Sequence, residues 1–345
     1  MRGRTFTPAG ATIIMRKIAL TAAYVAATLT LTLPALAQTA VNRTVATPAT
    51  GSVEISNVSG SVQVTAWDRG EVEIRGRLGE GTERLDVTSS GDRVSIRVVI
   101  PRGSRNVEDS DLEIRVPARK NLTVRTVSAE IEISGVTGIV DAEATSGSVE
   151  VSGNPGRVRA VSTSGEVSVN ASTARLEARS TSGSVEASGR ATESVVVETV
   201  SGDLEVNVAT PEMMAKSVSG GVSLAGVTRR LATSTVSGDI EVNGGTLQYA
   251  SFETVSGSVS FEGNLEGDAA LNIASHSGDV VVALPSNVSA RFQLSSFSGD
   301  VRSDFGGQRQ RLSPGRGLDM SFSIGSGNAL VTVKTFSGSV SLERR

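Results

Sequence analysis

The sequence contains no cysteine and very few aromatic residues. The absence of cysteine excludes disulfide bonds, thiolate metal sites, a cysteine nucleophile and a lipid-modified N-terminal cysteine. Aromatic residues make up 3% of the 345 residues, and the chain has one histidine, whereas a compact enzyme of this length usually carries more large apolar side chains. Valine, serine, threonine and glycine dominate instead, a composition typical of strands and tight turns.

The first 37 residues predict a signal peptide. The basic pair Arg16-Lys17 precedes an uncharged run at 18–33, and Ala35-Leu36-Ala37 matches a cleavage site. Either Met1 or Met15 is the true start. We expect an exported protein in the periplasm, on the cell surface or outside the cell, without a stable membrane span after cleavage. Cleavage leaves 29 basic and 36 acidic residues, a net charge near −7, which argues against a nucleic-acid partner.

A short phrase, Ser-Gly-x-Val, recurs along the chain, and its serine serves as an anchor for alignment. Successive anchors are 18 to 21 residues apart, except that Ser337 follows the previous one after 39. Apolar residues alternate with polar ones on both sides of the glycine, which predicts a strand, a bend and a second strand. The anchors before Ser337 are Ser128, Ser146, Ser164, Ser182, Ser201, Ser219, Ser237, Ser256, Ser277 and Ser298.

The repeat predicts an all-β fold: a single-chain parallel β-solenoid, β-helix-like, with rungs of about 18–19 residues and irregular β caps at both ends. One unit cannot bury its own apolar stripe, but stacked units form columns of equivalent side chains. An antiparallel hairpin meander is the alternative. The solenoid is favoured because the same column positions recur with one short connection per rung.

The predicted organisation has five parts. A linker at 38–50 follows the signal peptide, an N-terminal β cap region covers 51–118, solenoid repeats cover 119–303, and a C-terminal β cap with the last rung covers 304–345. One phrase in the N-terminal region, Ser59-Gly60-Ser61-Val62, resembles a rung.

Several phrases resemble the bacterial β-strand-repeat family catalogued as "putative adhesin", a domain of unknown function. The resemblance covers about residues 51–345 and implies an exported β-solenoid with no known activity and no defined site residues. The phrases are Val127-Ser128-Ala129-Glu130-Ile131-Glu132-Ile133, Thr199-Val200-Ser201-Gly202-Asp203-Leu204-Glu205-Val206 and Thr335-Phe336-Ser337-Gly338-Ser339-Val340.

Candidate catalytic chemistry is sparse. His276 has Ser277 and Asp279 nearby in the sequence, as a serine-histidine-aspartate site would need. However, His276 occupies the slot just before the anchor serine, which elsewhere holds threonine, valine or phenylalanine. We interpret it as one member of an outward-facing column, and we predict no catalytic residue, no cofactor and no enzyme activity.

One column after the bend is acidic. A cation site or a polysaccharide cleft would need carboxylates that converge on one point, whereas these are spread along a ladder. We interpret them as a solvated face that discourages lateral sheet aggregation. Weak divalent-cation binding is the one metal role left open for this column, which consists of Glu166, Asp203, Asp239, Asp279 and Asp300.

The leading functional hypothesis is an exported, non-catalytic, adhesin-like binding or scaffold protein of the cell envelope or extracellular space. Its partner would be an unknown protein or glycan, and self-association is possible. Two alternatives stay open: a glycan-active β-helix enzyme that uses the acidic strip, and a self-associating structural fibre subunit.

Overall fold

The computed structural model describes residues 39–101, 103, 107–313 and 316–345. The predicted signal peptide and both candidate start residues lie outside this range. Every regular element of the described residues is a β-strand, and no helix there is long and apolar enough to cross a membrane. The strands are β1 (Thr39–Ala46), β2 (Ser52–Trp67), β3 (Glu71–Leu78), β4 (Arg84–Ser90), β5 (Arg93–Val99), β6 (Ser110–Pro117), β7 (Asn121–Ser134), β8 (Ile139–Ala144), β9 (Val149–Gly153), β10 (Arg157–Ser162), β11 (Val167–Ser180), β12 (Val185–Glu198), β13 (Leu204–Lys216), β14 (Val222–Ser237), β15 (Ile240–Ser256), β16 (Val259–Ser277), β17 (Val280–Leu284), β18 (Ala290–Ser298), β19 (Val301–Ser303), β20 (Arg309–Ser313), β21 (Arg316–Ile324), β22 (Ala329–Ser337) and β23 (Val340–Arg344).

Parallel ladders with a register of one repeat join the strands from β7 to β17. Val158 of β10 lies opposite Val140 on one side and Leu176 on the other, the equivalent residues of the preceding and following repeats. Further along, Val185 lies opposite Leu204, again the equivalent residue of the next repeat. The spacing of the sequence repeat is therefore the register of the sheet.

Alternate residues of each rung are buried. In β12, Val195 and Val197 are fully buried, whereas Val196 between them is partly exposed. The buried side chains form one hydrophobic cluster that extends from Val53 to Leu342. Each buried valine or leucine stabilises the fold by about 1.5–3 kcal/mol, so stacking supplies what a lone rung lacks.

The N-terminal region contains a full rung as well as cap strands. β2 pairs in parallel with β7, placing Ser59 opposite Ser128, and its other edge pairs in parallel with β5 and β6. The cap itself consists of antiparallel pairs: β4 with β5, β3 with β6, and β1 with β3. The expected cap region at 51–118 thus begins with a rung.

The expected linker at 38–50 instead contains β1. This edge strand is mostly exposed, so it shows no hydrophobic alternation and is held by backbone pairing with β3. Just beyond it, Thr47 accepts a 2.8 Å hydrogen bond from the fully buried Lys120 ammonium, which also donates to the Asp92 carbonyl at 2.5 Å. Burial lowers the pKa of Lys120.

At the other end, the last rung in sequence is not the last in space. β22 and β23 lie between β16–β17 and β18–β19, so that Ser337 pairs with both Ser277 and Ser298. The antiparallel strand β21 covers the far edge of β18, and β20 pairs with β21. The all-β prediction is therefore confirmed, with parallel ladders in the middle of the described chain and antiparallel strands at both ends.

Candidate binding surface at the serine-glycine corner

The anchor serines form one column along the stacked rungs. Direct pairing joins Ser219 to Ser201 and Ser237, and Ser256 to Ser237 and Ser277. We call the bend at each anchor serine and its following residue the corner. Because the register is continuous, every residue at a fixed distance from the anchor belongs to a column of the same corner.

The corners at 145–148, 163–166 and 181–184 form local turns, in two cases closed by a buried serine. The Ser162 hydroxyl accepts a 2.9 Å hydrogen bond from the Gly165 N–H and donates to the Gly147 carbonyl of the preceding rung at 2.8 Å. Ser180 makes the same two bonds one rung further on, with Gly183 and Gly165. The residue just before the anchor is threonine in all three turns.

From Ser201 onward the backbone ladder runs through the corner. The Gly220 N–H donates to the Ser237 carbonyl of the next rung at 3.1 Å, and Gly257 donates to Ser277 at 2.9 Å. The glycine N–H therefore no longer reaches the buried hydroxyl. Among the described residues, four hydroxyls of this buried column have no hydrogen-bond partner: those of Ser217, Thr235, Thr254 and Ser275.

The continuous corners carry an exposed apolar column, which we call the corner ridge. Its members are the residues just before the anchors, and the six valine and phenylalanine side chains are 43–51% exposed. In spatial order the corner ridge consists of Val200, Val218, Val236, Val255, His276, Phe336 and Phe297. Valine and phenylalanine suit this position because β-branched and aromatic residues favour a continuous strand.

Three rings are stacked at one end of the corner ridge. The ring centroids of His276 and Phe336 are 5.0 Å apart at an interplanar angle of 4°, and those of Phe336 and Phe297 are 4.7 Å apart at 7°. The rung formed by β22 and β23, which we call the inserted rung, brings Phe336 between two residues that precede it in the sequence. His276 thus lies in the outward-facing column that the sequence predicts.

The acidic column has a structural role in three of its five members. The Oδ1 atoms of Asp203, Asp239 and Asp279 accept the backbone N–H of the next rung at 2.7–2.8 Å. The next rung has glycine or serine at that position, which explains why acids alternate with small residues. Each aspartate therefore satisfies a corner N–H that the bend leaves without a ladder partner.

The other two members are Glu166, which is exposed, and Asp300, whose Oδ2 accepts from Arg302 at 2.8 Å. The hydrogen bond from Arg302 and the charge of Arg309 lower the pKa of Asp300. No three acidic or histidine side chains of the described residues are grouped closely enough to hold a metal ion. Weak divalent-cation binding stays a prediction, which calcium titration of the wild type and Asp239→Asn would test.

A family model described as Toastrack DUF4097 matches residues 24–194 and, in an overlapping second match, residues 159–343. The chain belongs to the Toastrack DUF4097 family. This confirms the resemblance to the adhesin-like β-strand-repeat family of unknown function. The two overlapping matches of the Toastrack model agree with the internal repeat. No curated protein matches the chain.

The solved structures that match this Toastrack chain are distant from it. A "putative cell adhesion protein" from Clostridium sporogenes has 10% identity and a TM-score of 0.22 over 90% of this chain and 100% of that one. A "putative adhesin" from Bacteroides fragilis has 11% identity and a TM-score of 0.27, covering 89% and 98%. A "putative lipid binding protein" from Parabacteroides distasonis has 12% identity and a TM-score of 0.36, covering 89% and 96%.

A face of the Toastrack chain next to the corner carries a ladder of ion pairs. Arg159 bridges Asp141 at 3.0 Å, Glu143 on the same neighbouring strand, and Glu177 on the following strand at 3.6 Å. The hydrogen bond from Arg159, assisted by Arg125, lowers the pKa of Glu143. These side chains are about one-third to one-half exposed, so each pair contributes little to stability.

Sequence reasoning missed one acidic depression of this Toastrack chain. A shallow cavity of about 330 Å³ lies between β2, β6, β7 and β9, where the cap strand β6 brings its acids beside those of the rungs. Only the pairing of β2 with both β6 and β7 unites them, and no sequence spacing signals that. Its carboxylates are Asp111, Glu113, Glu130, Glu132 and Glu150.

Proposed function

We propose that this protein is an exported, non-catalytic β-solenoid that binds another macromolecule of the cell envelope or extracellular space through the corner ridge. The observation that supports the proposal is the run of seven neighbouring rungs with exposed apolar or aromatic side chains at one position. Single exposed apolar residues are normal on protein surfaces, but contiguous ones mark interaction sites.

The arrangement of the corner also favours a scaffold over an enzyme. Catalysis needs a few groups that converge on one reacting atom, whereas the columns of this chain spread chemically similar side chains along successive rungs. The three aspartates nearest to the corner ridge already accept backbone hydrogen bonds. The surface is therefore suited to extended contact.

A binding assay tests the proposal. Purified, labelled protein is titrated onto envelope preparations from its native host, and saturable binding is measured for a ridge variant, Val218→Ser with Val236→Ser and Phe336→Ser. The matched control, Ile139→Ser with Tyr249→Ser, removes large side chains that are about equally exposed but do not precede an anchor serine. We expect at least about tenfold weaker binding for the ridge variant alone, the equivalent of about 1.4 kcal/mol. Equal binding by wild type and the ridge variant would contradict the proposal.

Surface exposure is tested separately. An epitope tag near residue 310 is probed with external protease on intact cells. Cleavage in intact cells supports display outside the cell, and protection until the outer layer is opened supports a periplasmic scaffold.

A further inference from the structure

We propose that the corner ridge binds an extended polypeptide segment that combines apolar side chains with basic ones. This inference rests on the proposed function, because it assumes that the corner ridge is a contact surface, and it assigns the chemistry of the partner. The apolar, aromatic and charged parts of the corner each limit that chemistry.

The length of the corner ridge suits an extended chain. Seven neighbouring rungs at about 4.8 Å per step span about 29 Å, which corresponds to about nine residues in extended conformation. The anchor serines from Ser201 to Ser256 are exposed beside the corner ridge and offer hydroxyl groups to a partner backbone.

The stacked rings do not favour a glycan. Sugar rings bind aromatic side chains through the ring face, but the rings of His276, Phe336 and Phe297 stack on one another with interplanar angles of 4° and 7°. Both faces of Phe336 are therefore covered by the two neighbouring rings. A ridge of edges and methyl groups is suited to apolar side chains instead.

The charges beside the corner ridge favour a basic partner. Asp203, Asp239 and Asp279 are exposed on the same corner and lie two rungs apart, about 9.6 Å. On the other side of the corner ridge, two glutamates are balanced by two lysines, so the aspartates set the sign of the local charge. The balanced set is Glu198, Glu253, Lys216 and Lys334.

The same aspartates argue against a second copy of the chain and against an anionic membrane. In a symmetric dimer, the same patch contacts itself on both subunits, so one row of aspartates would approach the other. An anionic lipid surface would meet the same repulsion. A segment with lysine or arginine beside apolar residues relieves it, because complementary charge directs association and register.

The experiment uses the full chain without its predicted signal peptide and a fluorescent 13-residue peptide of alternating leucine and lysine. Affinity is measured by anisotropy, with an alternating leucine–glutamate peptide and a serine–lysine peptide for comparison. The charge variant is Asp203→Asn with Asp239→Asn, which keeps the Oδ1 acceptor for the neighbouring N–H and removes only the charge. Its matched control is Glu130→Gln with Glu132→Gln, which removes the same charge from the distant acidic depression.

We expect the leucine–lysine peptide to bind best. The charge variant should weaken binding about fivefold, since exposed ion pairs contribute only modestly to affinity. Val236→Ser with Phe336→Ser should weaken it at least about tenfold. The control should bind as wild type does, and thermal melts confirm that each variant is folded. Equal loss in the control, or equal binding of the leucine–glutamate peptide, would overturn the inference.

Two further outcomes separate this inference from the proposed function. One is that the ridge variant binds the envelope more weakly than wild type does while the wild type binds the leucine–lysine and leucine–glutamate peptides equally well. In that case the corner ridge remains the contact surface, and the inference of a basic partner is wrong. If the wild type forms a concentration-dependent dimer that the ridge variant abolishes, a second copy is the occupant, and the inference fails.

Discussion

The corner glycines make the most direct structural prediction, because adjacent rungs nearly touch there. A Cβ added to Gly238 would lie 2.0 Å from the carbonyl oxygen of Gly220 on the preceding rung. Carbon and oxygen atoms in close non-bonded contact normally stay about 3.3 Å or more apart, so the two backbones would have to separate by about 1.3 Å. No flexible side chain can move aside to relieve this contact, because the added Cβ would meet backbone atoms of the preceding corner.

The expected cost of Gly238→Ala follows from that displacement. It strains the ladder bond from the Gly220 N–H to Ser237 at 3.1 Å and the one from the Gly238 N–H to Ser256 at 3.0 Å. Two such bonds contribute about 1 kcal/mol each, and overpacking adds about 1–3 kcal/mol. We expect the variant to lose about 3–5 kcal/mol of unfolding free energy.

Urea unfolding followed by circular dichroism provides the measurement. Gly267→Ala is the matched control, because an added Cβ there meets no atom within 4 Å; its unfolding free energy should change by less than about 1 kcal/mol. The difference should appear in the midpoint, with an unchanged slope. If the two variants unfold within about 1 kcal/mol of each other, the close approach of the corners is wrong.

Three further predictions concern the hydroxyl column, the ion-pair ladder and the inserted rung. Ser162→Ala should cost about 1–3 kcal/mol in urea unfolding because it leaves two corner groups without their partner, whereas Thr254→Val, which removes a hydroxyl without a partner, should be neutral or stabilising; the opposite order would contradict the two corner types. Because the pKa of Glu143 is lowered in the folded state, its ion pair stabilises the fold above the ordinary glutamate pKa, and this stability is lost as the pH falls through the folded-state pKa. Glu143→Gln should therefore reduce the acid-side loss of unfolding free energy by about 0.2–1 kcal/mol. An unchanged dependence of stability on acidic pH would count against this pair. Deleting 329–345 should cause rapid hydrogen exchange at 290–303, and full protection there would refute the rung order.

The regular part of the fold was predictable because side-chain period and repeat length directly encode it. Alternation around Ser201 predicts which face of each strand is buried, and the near-constant spacing of the central anchors predicts the parallel register. The slot of His276 could be assigned for the same reason. The buried faces, the register and the position of His276 all depend on which residues of successive repeats are equivalent, and a single sequence is enough to show that.

The order of rungs at the ends could not be predicted. Ser337 fits a rung equally well after Ser298 or before it, because backbone hydrogen bonds do not distinguish one parallel neighbour from another. The same limit hides the stacking of Phe336 on His276, and it hides the acidic depression that Asp111 completes. The two corner types did leave a signal, threonine against valine before the anchor, but its meaning depends on hydrogen bonds that only the structure shows.

The inserted rung also has a consequence for how the chain reaches its native state. Rungs in the middle pair with the next repeat along the chain. In contrast, β22 pairs directly with β16 although β17–β21 separate them in the sequence, and β2 pairs directly with β7 although the cap strands β3–β6 separate them. Contacts of long sequence separation form late, because the chain between them must first be closed into a loop. Folding should therefore nucleate in the middle and finish at both termini. The rung of β18 and β19 reaches its final neighbours only after β22 and β23 have been synthesised, so a chain truncated before β22 cannot complete this rung.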